Sequence, residues 1–375
     1  MKRPIILALF CTLACGALSA QPLETRESRV HISFFPPLST NGRFAPEFTN
    51  DFSLNILAGI SRNERAAAIA GLANIIKNDA QGVQFAGLYN GIGNAGTGAA
   101  FAGLLNTANS YAGVQFGGIY NSAGTFGGVQ FGGLMNTAGA MQGVQFAGVS
   151  NIAGLLKSGA QFAGVMNIGG TVHGPQFAGV GNVAGHIRGA QFAGLFNKGG
   201  VVDGVQFAGL LNIAESSRAS IALINIIGDG EMGIGLAYNE IGNVTATFRS
   251  GGRIFYGILG GGYNFQFDDG SFVLEGGLGA RIYVSNRFRI NNELKSAYIG
   301  RFESDETYHQ SFSILPAFRI TPKLEIFAGP SLNYLSSDNP ELLGDFPSGT
   351  LWDKYGTENI KQLHVGFSAG MYFGF

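Results

Sequence analysis

The stretch Gly82-Val83-Gln84-Phe85-Ala86-Gly87-Leu88-Tyr89-Asn90 decides the fold, because variants of it recur along the chain. Nine copies lie between Gly82 and Asn212, spaced by 15 or 16 residues. Phe is present in every copy, and Gln precedes it in all but one, where Ala100 stands instead. Degenerate copies end at Asn74 and Asn225. A fixed period of this length indicates an architecture built from repeated units.

Each copy has the alternation of a β-strand. Val83 and Phe85 fall on one face, which is apolar in nearly every copy. Gln84, Leu88 and Asn90 fall on the other face. The glycines argue against a helix, which they would weaken. The pattern therefore predicts one strand per copy, with the Gly-rich links, such as residues 122–128, as turns.

The chain carries few charges and much glycine. Only 13% of its 375 residues are charged, against about 25% in a typical soluble domain. There are 60 glycines, and no Asp, Glu, Lys or Arg occurs from Ala80 to Leu156. The formal net charge of -1 excludes a polyanion-binding surface of the usual basic kind, so we expect no nucleic-acid partner. An uncharged stretch of this length indicates contact with lipid.

The first residues have the plan of a secretory signal peptide. Met1-Lys2-Arg3 is basic, an apolar run extends from Ile5 to Cys15, and small residues follow at Ser19-Ala20. This pattern predicts a cleaved signal over residues 1–20, followed by a short linker over 21–29. Both cysteines of the chain lie in the signal, so the mature protein is expected to have no disulfide and no cysteine chemistry.

The sequence pattern changes after Asn225. The region 30–228 is the repeat-built part, and 229–375 holds longer alternating strands, such as Phe272–Val284. Short turns and the C-terminus fall on one side of these strands, and a long loop over 337–360 falls on the other. This arrangement is typical of outer-membrane barrels, which have short periplasmic turns and longer external loops.

Two all-β architectures fit these patterns. The first is a continuous antiparallel transmembrane β-barrel of roughly twenty strands, with the repeats as strands and their Phe face toward lipid. The second is a parallel β-solenoid of stacked repeats with a smaller C-terminal β-barrel. We expect the first, because a soluble solenoid would expose an uncharged apolar surface.

Two sets of polar residues are candidate sites. Charged side chains on the inner face of the C-terminal strands would face a lumen, either as a constriction that selects solutes or as an ion-paired filling. These lumen-facing candidates are Glu275, Arg281, Arg289, Glu293, Lys295 and Arg319. The repeat amides would bind either a row of ligands or one another, and we favour the second because buried amides must be satisfied. These repeat rungs are Gln84, Asn90, Gln115, Asn121, Gln130, Asn136, Gln145 and Asn151.

Signals of catalysis are weak. The segment Gly91–Gly96 matches a dinucleotide fingerprint in letters, but no helix pattern and no acidic residue follow at the required distance. His309 and Ser311 share a strand face, with Glu325 as a candidate third member of a lipid hydrolase site. We favour an ordinary polar strand here, and expect no enzyme activity, no metal and no cofactor.

The repeat resembles the surface-repeat proteins of Gram-negative bacteria, whose units read Gly-x-Gln-x-x-Gly-x-x-Asn. The similarity covers Gly71 to Asn225. The final residues Met371-Tyr372-Phe373-Gly374-Phe375 resemble the C-terminal signal of outer-membrane barrels. The resemblance implies the outer membrane of a Gram-negative bacterium and assembly by the barrel-assembly machinery through the C-terminal strand. It implies no particular activity.

The sequence thus predicts a non-enzymatic outer-membrane β-barrel protein that forms a pore or serves as a structural surface component. The alternative is a surface-displayed β-repeat protein for adhesion or partner binding. In either case, the expected partners of the protein are outer-membrane lipid and a small solute or surface ligand.

Overall fold

The computed structural model describes residues 26–266, 271–301, 304–338, 350–356 and 359–375. The predicted signal peptide over 1–20 lies outside these residues, as does most of the predicted loop over 337–360. The predicted linker is partly described, and its residues from Arg26 onward belong to the first strand. Two β-structures follow one another along the chain.

The first structure is a parallel β-solenoid. One 3₁₀ helix, Gly42–Glu47, lies near its beginning. Its strands are β1 (Arg26–Phe35), β2 (Leu38–Ser39), β3 (Phe48–Asn55), β4 (Ala58–Ser61), β5 (Asn63–Ala70), β6 (Ala73–Ile76), β7 (Val83–Ala86), β8 (Tyr89–Ala102), β9 (Leu105–Gly117), β10 (Tyr120–Gly132), β11 (Met135–Ala147), β12 (Ser150–Ala163), β13 (Met166–Val172), β14 (Gln176–Ala178), β15 (Gly181–Ile187), β16 (Ala190–Ala193), β17 (Phe196–Ala208), β18 (Leu211–Ala214), β19 (Ser216–Ile221) and β20 (Ile224–Ile227).

Neighbouring coils of the solenoid pair in parallel, with identical repeat positions side by side. Asn121 of β10 pairs with Asn106 of β9 and with Asn136 of β11. The expected antiparallel barrel of roughly twenty strands is therefore wrong for the repeats, and the fold has the alternative architecture. The physical reason for parallel pairing is the 15- or 16-residue period of the repeat. Antiparallel neighbours have opposite directions and favour a two-strand repeat, whereas a one-coil repeat lets every residue stack on its equivalent.

One turn of each coil lies inside the motif, and the link bends as well, since Gly128 at its end has a φ of +125°. Strand β9 runs through the predicted link, and the chain bends at Gly118 and Ile119. A Cβ atom added to Gly118 would lie 2.0 Å from the carbonyl oxygen of Gly103, so only glycine permits this close approach of stacked corners. The alternation of the sequence predicted Leu88 on the same face as Asn90. Because of the bend, Leu88 points outward whereas Asn90 points inward, so that prediction is wrong.

The solenoid interior holds the amides together with apolar side chains, and the phenylalanines lie outside. Asn121 and Gln130 are fully buried, as are the larger core side chains Tyr111 and Leu156. Phe116 keeps 39% of its surface exposed. The direction of the Phe face is thus outward, as expected, although it belongs to a solenoid.

The second structure is a closed antiparallel barrel of eight strands, in which the first strand pairs with the last. A ninth strand, β28, pairs with the beginning of β29. The strands are β21 (Glu231–Asn239), β22 (Asn243–Gly251), β23 (Phe255–Asn264), β24 (Ser271–Tyr283), β25 (Phe288–Arg301), β26 (Ser304–Arg319), β27 (Leu324–Ser337), β28 (Thr350–Tyr355) and β29 (Ile360–Gly374).

Alternation along the barrel strands separates an apolar outside from a polar inside. Leu274 and Leu294 are 57% and 60% exposed on the outside. Their neighbours Glu275 and Glu293 are buried on the inside. Within the described residues, no helix is long and apolar enough to span a membrane.

The two structures contact each other directly. The backbone N–H of Asn225, in the last coil, donates to Ser250 Oγ of β22 at 3.0 Å. The side chain of Asn225 donates to the carbonyl oxygen of Ser250 at 3.3 Å. The barrel wall therefore satisfies the open end of the solenoid, whose last strand would otherwise present unpaired polar groups.

The corner glycines give a direct test of the stacking. In Gly133→Ala, the new Cβ would lie 1.9 Å from the carbonyl oxygen of Gly118. We expect this change to destabilise the solenoid by about 2 kcal/mol or more, as forced overpacking does. Gly127→Ala is the matched control, because a Cβ there meets nothing within 4 Å. Urea unfolding followed by circular dichroism should separate the two variants, and equal midpoints would contradict the stacked corner.

Candidate functional site

The repeat amides form two continuous ladders inside the solenoid. In the first ladder, each Asn side-chain N–H donates to the Asn of the next coil, as Asn121 does to Asn136 at 2.9 Å. In the second, each Gln donates to the Gln of the preceding coil, as Gln145 does to Gln130 at 2.8 Å. The donors of the two ladders therefore point in opposite directions along the solenoid, and their dipoles oppose each other.

The eight repeat rungs identified in the sequence all belong to these ladders or to their ends. Asn90 to Asn151 form an unbroken series. The Gln ladder has one gap, because Ala100 replaces the Gln between Gln84 and Gln115. The Gln115 amide nitrogen has no hydrogen-bond partner there. Gln84 lies beyond this gap and instead donates to the Gln81 carbonyl and accepts from the Tyr111 hydroxyl. The other amides contact one another, and all eight are buried away from a ligand in solution.

Removing one rung should cost stability. Asn136 donates to the Phe146 carbonyl at 2.7 Å and to Asn151 at 3.0 Å. Asn136→Ala leaves buried polar groups without partners, and we expect a loss of at least about 2 kcal/mol. Asn109→Ala, at an exposed position of β9, should change stability by less than about 0.5 kcal/mol. Urea unfolding measures both variants, and a neutral Asn136→Ala would contradict the ladder's structural role.

The six lumen-facing candidates lie inside the barrel as ion pairs. Five of the six are buried, and Arg319 is half-buried. The pairs are Arg249–Glu293 at 3.0 Å, Lys295–Glu275 at 3.5 Å, Arg289–Glu325 at 2.7 Å, and Glu231 with Arg281, Arg289 and Arg319 at 3.6, 2.7 and 3.3 Å. The sequence did not single out Arg249 or Glu231, which complete these pairs from β22 and β21. Each candidate charge is thus compensated by a neighbour across the interior.

The proposed hydrolase trio does not assemble. Glu325 is bound by Arg289, and it also accepts from Asn291 at 3.1 Å. His309 lies instead beside Glu240 and His364. The candidate ligand atoms of these three buried residues all lie within 4.8 Å of one another. No sequence pattern marks this cluster, because its members are far apart along the chain and meet only when the barrel closes.

A long apolar groove runs along the outside of the solenoid. One wall is the Phe row, which we define as the nine repeat phenylalanines: Phe85, Phe101, Phe116, Phe131, Phe146, Phe162, Phe177, Phe192 and Phe207. Adjacent rings from Phe85 to Phe192 stack with centroids 4.5 to 5.2 Å apart. The small Ala and Gly residues that follow each Phe form the floor. We call this cavity, of 1290 Å³, the Phe groove.

One buried carboxyl group stands apart in the first coils. Glu64 is 2% exposed and accepts hydrogen bonds from Ser53 Oγ at 2.7 Å and from Asn50 Nδ2 at 3.1 Å. Burial raises the pKa of the Glu64 carboxyl to about 7, although these hydrogen bonds act in the opposite direction. The Glu64 carboxyl group therefore stays protonated to a higher pH than an exposed glutamate does.

This pKa predicts a pH dependence of stability. Because the folded-state pKa of Glu64 is raised, its contribution is fully present below the unfolded pKa, near 4.3, and is lost as pH rises through about 7. We expect about 3 kcal/mol of stability to be lost across this window, and Glu64→Gln to abolish that loss. Glu215→Gln, at an exposed position, is the control. The free energy of unfolding is measured from pH 5 to 8. If it falls with pH as steeply in Glu64→Gln as in the unchanged protein, Glu64 is not the source of the pH dependence.

Comparison with known proteins adds little to this geometry. No family model matches the chain, and no curated protein matches it. Among solved structures, the chain is similar to a barrel from the de novo design of transmembrane β-barrels, with 14% identity and a TM-score of 0.22. The match covers 39% of this chain and 93% of that chain, and it says nothing about the repeats.

Proposed function

We propose that this chain is a membrane-anchored β-solenoid, a non-enzymatic binding protein. Its eight-stranded barrel is the anchor in the outer membrane, and its solenoid presents the Phe groove to a partner. The observation that carries the proposal is the distribution of polarity in the barrel, which is the reverse of that in a soluble protein. The β-repeat solenoid itself supports the binding part, since stacked repeats create extended surfaces for partners.

The reversal of polarity supports the anchor. Phe312, Leu332 and Met371 are each close to half exposed on the outer wall. Arg249 and Glu293 are an almost fully buried ion pair inside. A closed barrel leaves no unpaired sheet edge, and an apolar outer band suits hydrocarbon.

The filled interior argues against a pore, which was one of the two roles that the sequence predicted for an outer-membrane barrel. Tyr256 donates to Glu293 at 2.8 Å, so the Arg249–Glu293 pair is tied to β23 as well. Small eight-stranded barrels have interiors just wide enough for side chains to fill. The interior charges act here as a packed, mutually compensated filling.

This filling predicts electrical silence. The full chain, reconstituted into planar bilayers, should give no stepwise conductance, because ion pairs occupy the barrel interior. Protection of the barrel from protease in the same preparation is the control for insertion. Reproducible unitary steps from protease-protected protein would contradict the non-pore proposal.

The sidedness of the solenoid follows from the barrel ends. The connection from the solenoid, the turns over 284–287 and 320–323, and Phe375 share one end, which we call the near end. The long connection between Ser337 and Ile360 lies at the other, the far end. Short turns face the periplasm in outer-membrane barrels. We therefore place the solenoid on the periplasmic side, in contrast to the surface display expected for the alternative.

Cysteine labelling tests this sidedness in intact cells. A membrane-impermeant maleimide should label Tyr355→Cys, at an exposed position of far-end strand β28, and should not label Ala112→Cys on the solenoid. Lysed cells are the control, in which both variants should react. If Ala112→Cys reacts in intact cells, the solenoid is displayed on the surface and the adhesion alternative is favoured.

A further inference from the structure

The Phe groove has the chemistry of a site for hydrocarbon. One wall is the Phe row, the floor is Ala and Gly, and no charged side chain belongs to the lining. Phe116 and Phe146 keep 39% and 37% of their surface exposed. The Phe carbonyls beneath the floor accept from the Asn ladder, as Phe131 does from Asn121 at 2.7 Å, so the groove offers a ligand mainly apolar contact.

The size of the groove fits a chain-like ligand. Nine stacked rings at the spacing of adjacent strands, about 4.8 Å, make a wall of roughly 38 Å. One leaflet of a bilayer has a hydrocarbon thickness of about 15 Å. The groove is thus long enough for more than one acyl chain laid end to end, whereas a compact solute would use only a fraction of it.

A second apolar row runs beside the groove and ends on the barrel. We define the corner row as the outward aliphatic side chains at the bend of each coil: Leu57, Leu72, Leu88, Leu104, Ile119, Leu134, Val149, Val165, Val180, Leu195, Leu210 and Leu223. The last of them, Leu223, contacts the outer wall of the barrel. A Cβ atom at Gly276 of β24 would lie 3.7 Å from the Leu223 side chain.

The floor of the groove meets the same wall. A Cβ atom at Gly257 of β23 would lie 2.3 Å from the carbonyl oxygen of Ala222, and 2.0 Å from that of Leu223. The lining of the groove ends at Phe207, and Ala222 belongs to the next coil, which pairs with that of Phe207 through Ile221. The apolar surface of the solenoid is therefore continuous with the outer wall of the barrel, which the proposed function places against lipid.

We propose that the Phe groove binds the acyl chains of membrane phospholipid, which enter it from the barrel wall. This inference rests on the proposed function, because it needs the barrel to lie in the membrane. Phospholipid is the occupant that fits, since it is the molecule already in contact with the wall at which the groove ends. An acyl chain also needs no charged partner, and the groove supplies none.

Photo-crosslinking tests the proposal. The full chain is reconstituted into vesicles of phosphatidylethanolamine and phosphatidylglycerol that contain phosphatidylethanolamine with a diazirine in its acyl chain. After illumination, mass spectrometry locates the label. We expect label on the Phe row several coils from the barrel, in addition to label on the outer wall.

Matched variants make the result specific. Phe116→Glu/Phe146→Glu places two charges in the groove, and it should reduce groove labelling about tenfold or more. Ala112→Glu/Gln142→Glu is the control, because it adds the same charges four residues earlier on the same strands, at exposed positions. The control variant should be labelled in the Phe groove as strongly as the unchanged protein. Circular dichroism checks that both variants keep the solenoid.

The outcomes separate the inference from the proposed function. Label confined to the barrel, or groove labelling that the Phe variants do not reduce, would overturn the acyl-chain site while leaving the anchor intact. A chain that does not float with the vesicles would overturn the proposed function itself.

An independent observation concerns the cluster of Glu240, His309 and His364 inside the barrel. The His364 Nε2 atom lies 3.0 Å from Glu240 Oε1. All three side chains are at least nine-tenths buried, and His309 Nε2 has no hydrogen-bond partner. The nearby cation Lys295 is paired with Glu275 and does not occupy the cluster. Two imidazoles and a carboxylate thus meet around an unsatisfied nitrogen.

We propose that this cluster binds a divalent transition-metal ion, with zinc as the best fit. Zinc binds His nitrogen and carboxylate oxygen at about 2.0 to 2.2 Å in tetrahedral geometry, which places ligand atoms roughly 3.4 Å apart. The present separations, all within 4.8 Å, need closure of about an ångström or a little more. Three protein ligands leave the fourth position for water.

Metal titration tests this site in the full-length protein, stripped with chelator and held in detergent. We expect about one zinc ion per chain, and visible absorption of tetrahedral geometry when Co²⁺ replaces it. His309→Gln should weaken zinc binding at least about tenfold. His173→Gln, at an exposed solenoid position, should leave it unchanged. Electrophoretic mobility before and after heating shows that the barrel is folded.

Two results would overturn the metal site. One is a folded, stripped protein that takes up well below one zinc ion per chain. The other is zinc binding that His309→Gln does not weaken while the barrel remains folded.

Discussion

The structure depends on one constraint, which is that a buried side-chain amide must find partners in a dry interior. Parallel coils one repeat apart meet this requirement at all steps but the one at Ala100, because Asn stacks on Asn and Gln on Gln. Away from that gap, the repeat amides donate to their equivalents in a neighbouring coil. The same register brings the corner glycines so close that no side chain fits between them. The repeat period and the close spacing of the coils therefore both serve to bring each buried amide within hydrogen-bond distance of its equivalent.

The outer surface follows from that interior. Once the amides face inward, alternation sends each Phe outward, and the one-coil register stacks the rings into a continuous wall. The turn at Gly87 and Leu88 adds the corner row beside it. The antiparallel barrel strands show the same alternation, with charged side chains inside and apolar side chains outside. Leu223 and Asn225 join the two, one through apolar contact and the other through hydrogen bonds to Ser250.

Much of this could be read from the sequence, but not the pairing direction. Alternation in β24 and β29 separated inward from outward side chains, because period two is a local property of strands. The repeat period was equally visible, yet it fits strands in either architecture until the direction of pairing is known. Scarcity of charge pointed to lipid and thereby favoured the single large barrel. The turn inside the motif was missed because Gln84 and Asn90 both stay inward across it, although the bend at Gly87 turns Leu88 outward.

The interior clusters were less accessible to sequence reasoning. Glu275 and Arg289 were identifiable as inward charges, but their partners depend on which strands the closed barrel brings together. His364 and Glu240 are separated by 124 residues and meet only across that closure. No local spacing encodes such a contact, so neither the ion pairs nor the histidine cluster could be assigned in advance.

Disulfide trapping tests the central claim, parallel stacking of the repeats, most directly. The corner residues Leu134 and Val149 belong to adjacent coils, and the N–H of Val149 donates to the carbonyl of Leu134 at 3.0 Å. Leu134→Cys/Val149→Cys should form an intramolecular disulfide under mild oxidation, since stacked corners lie within the reach of that bond. In an antiparallel hairpin with its turn in the link, Leu134 and Val149 would not be opposed, while Met135 and Val144 would be neighbours on one face. A disulfide in Met135→Cys/Val144→Cys, with none in the corner pair, would contradict the solenoid.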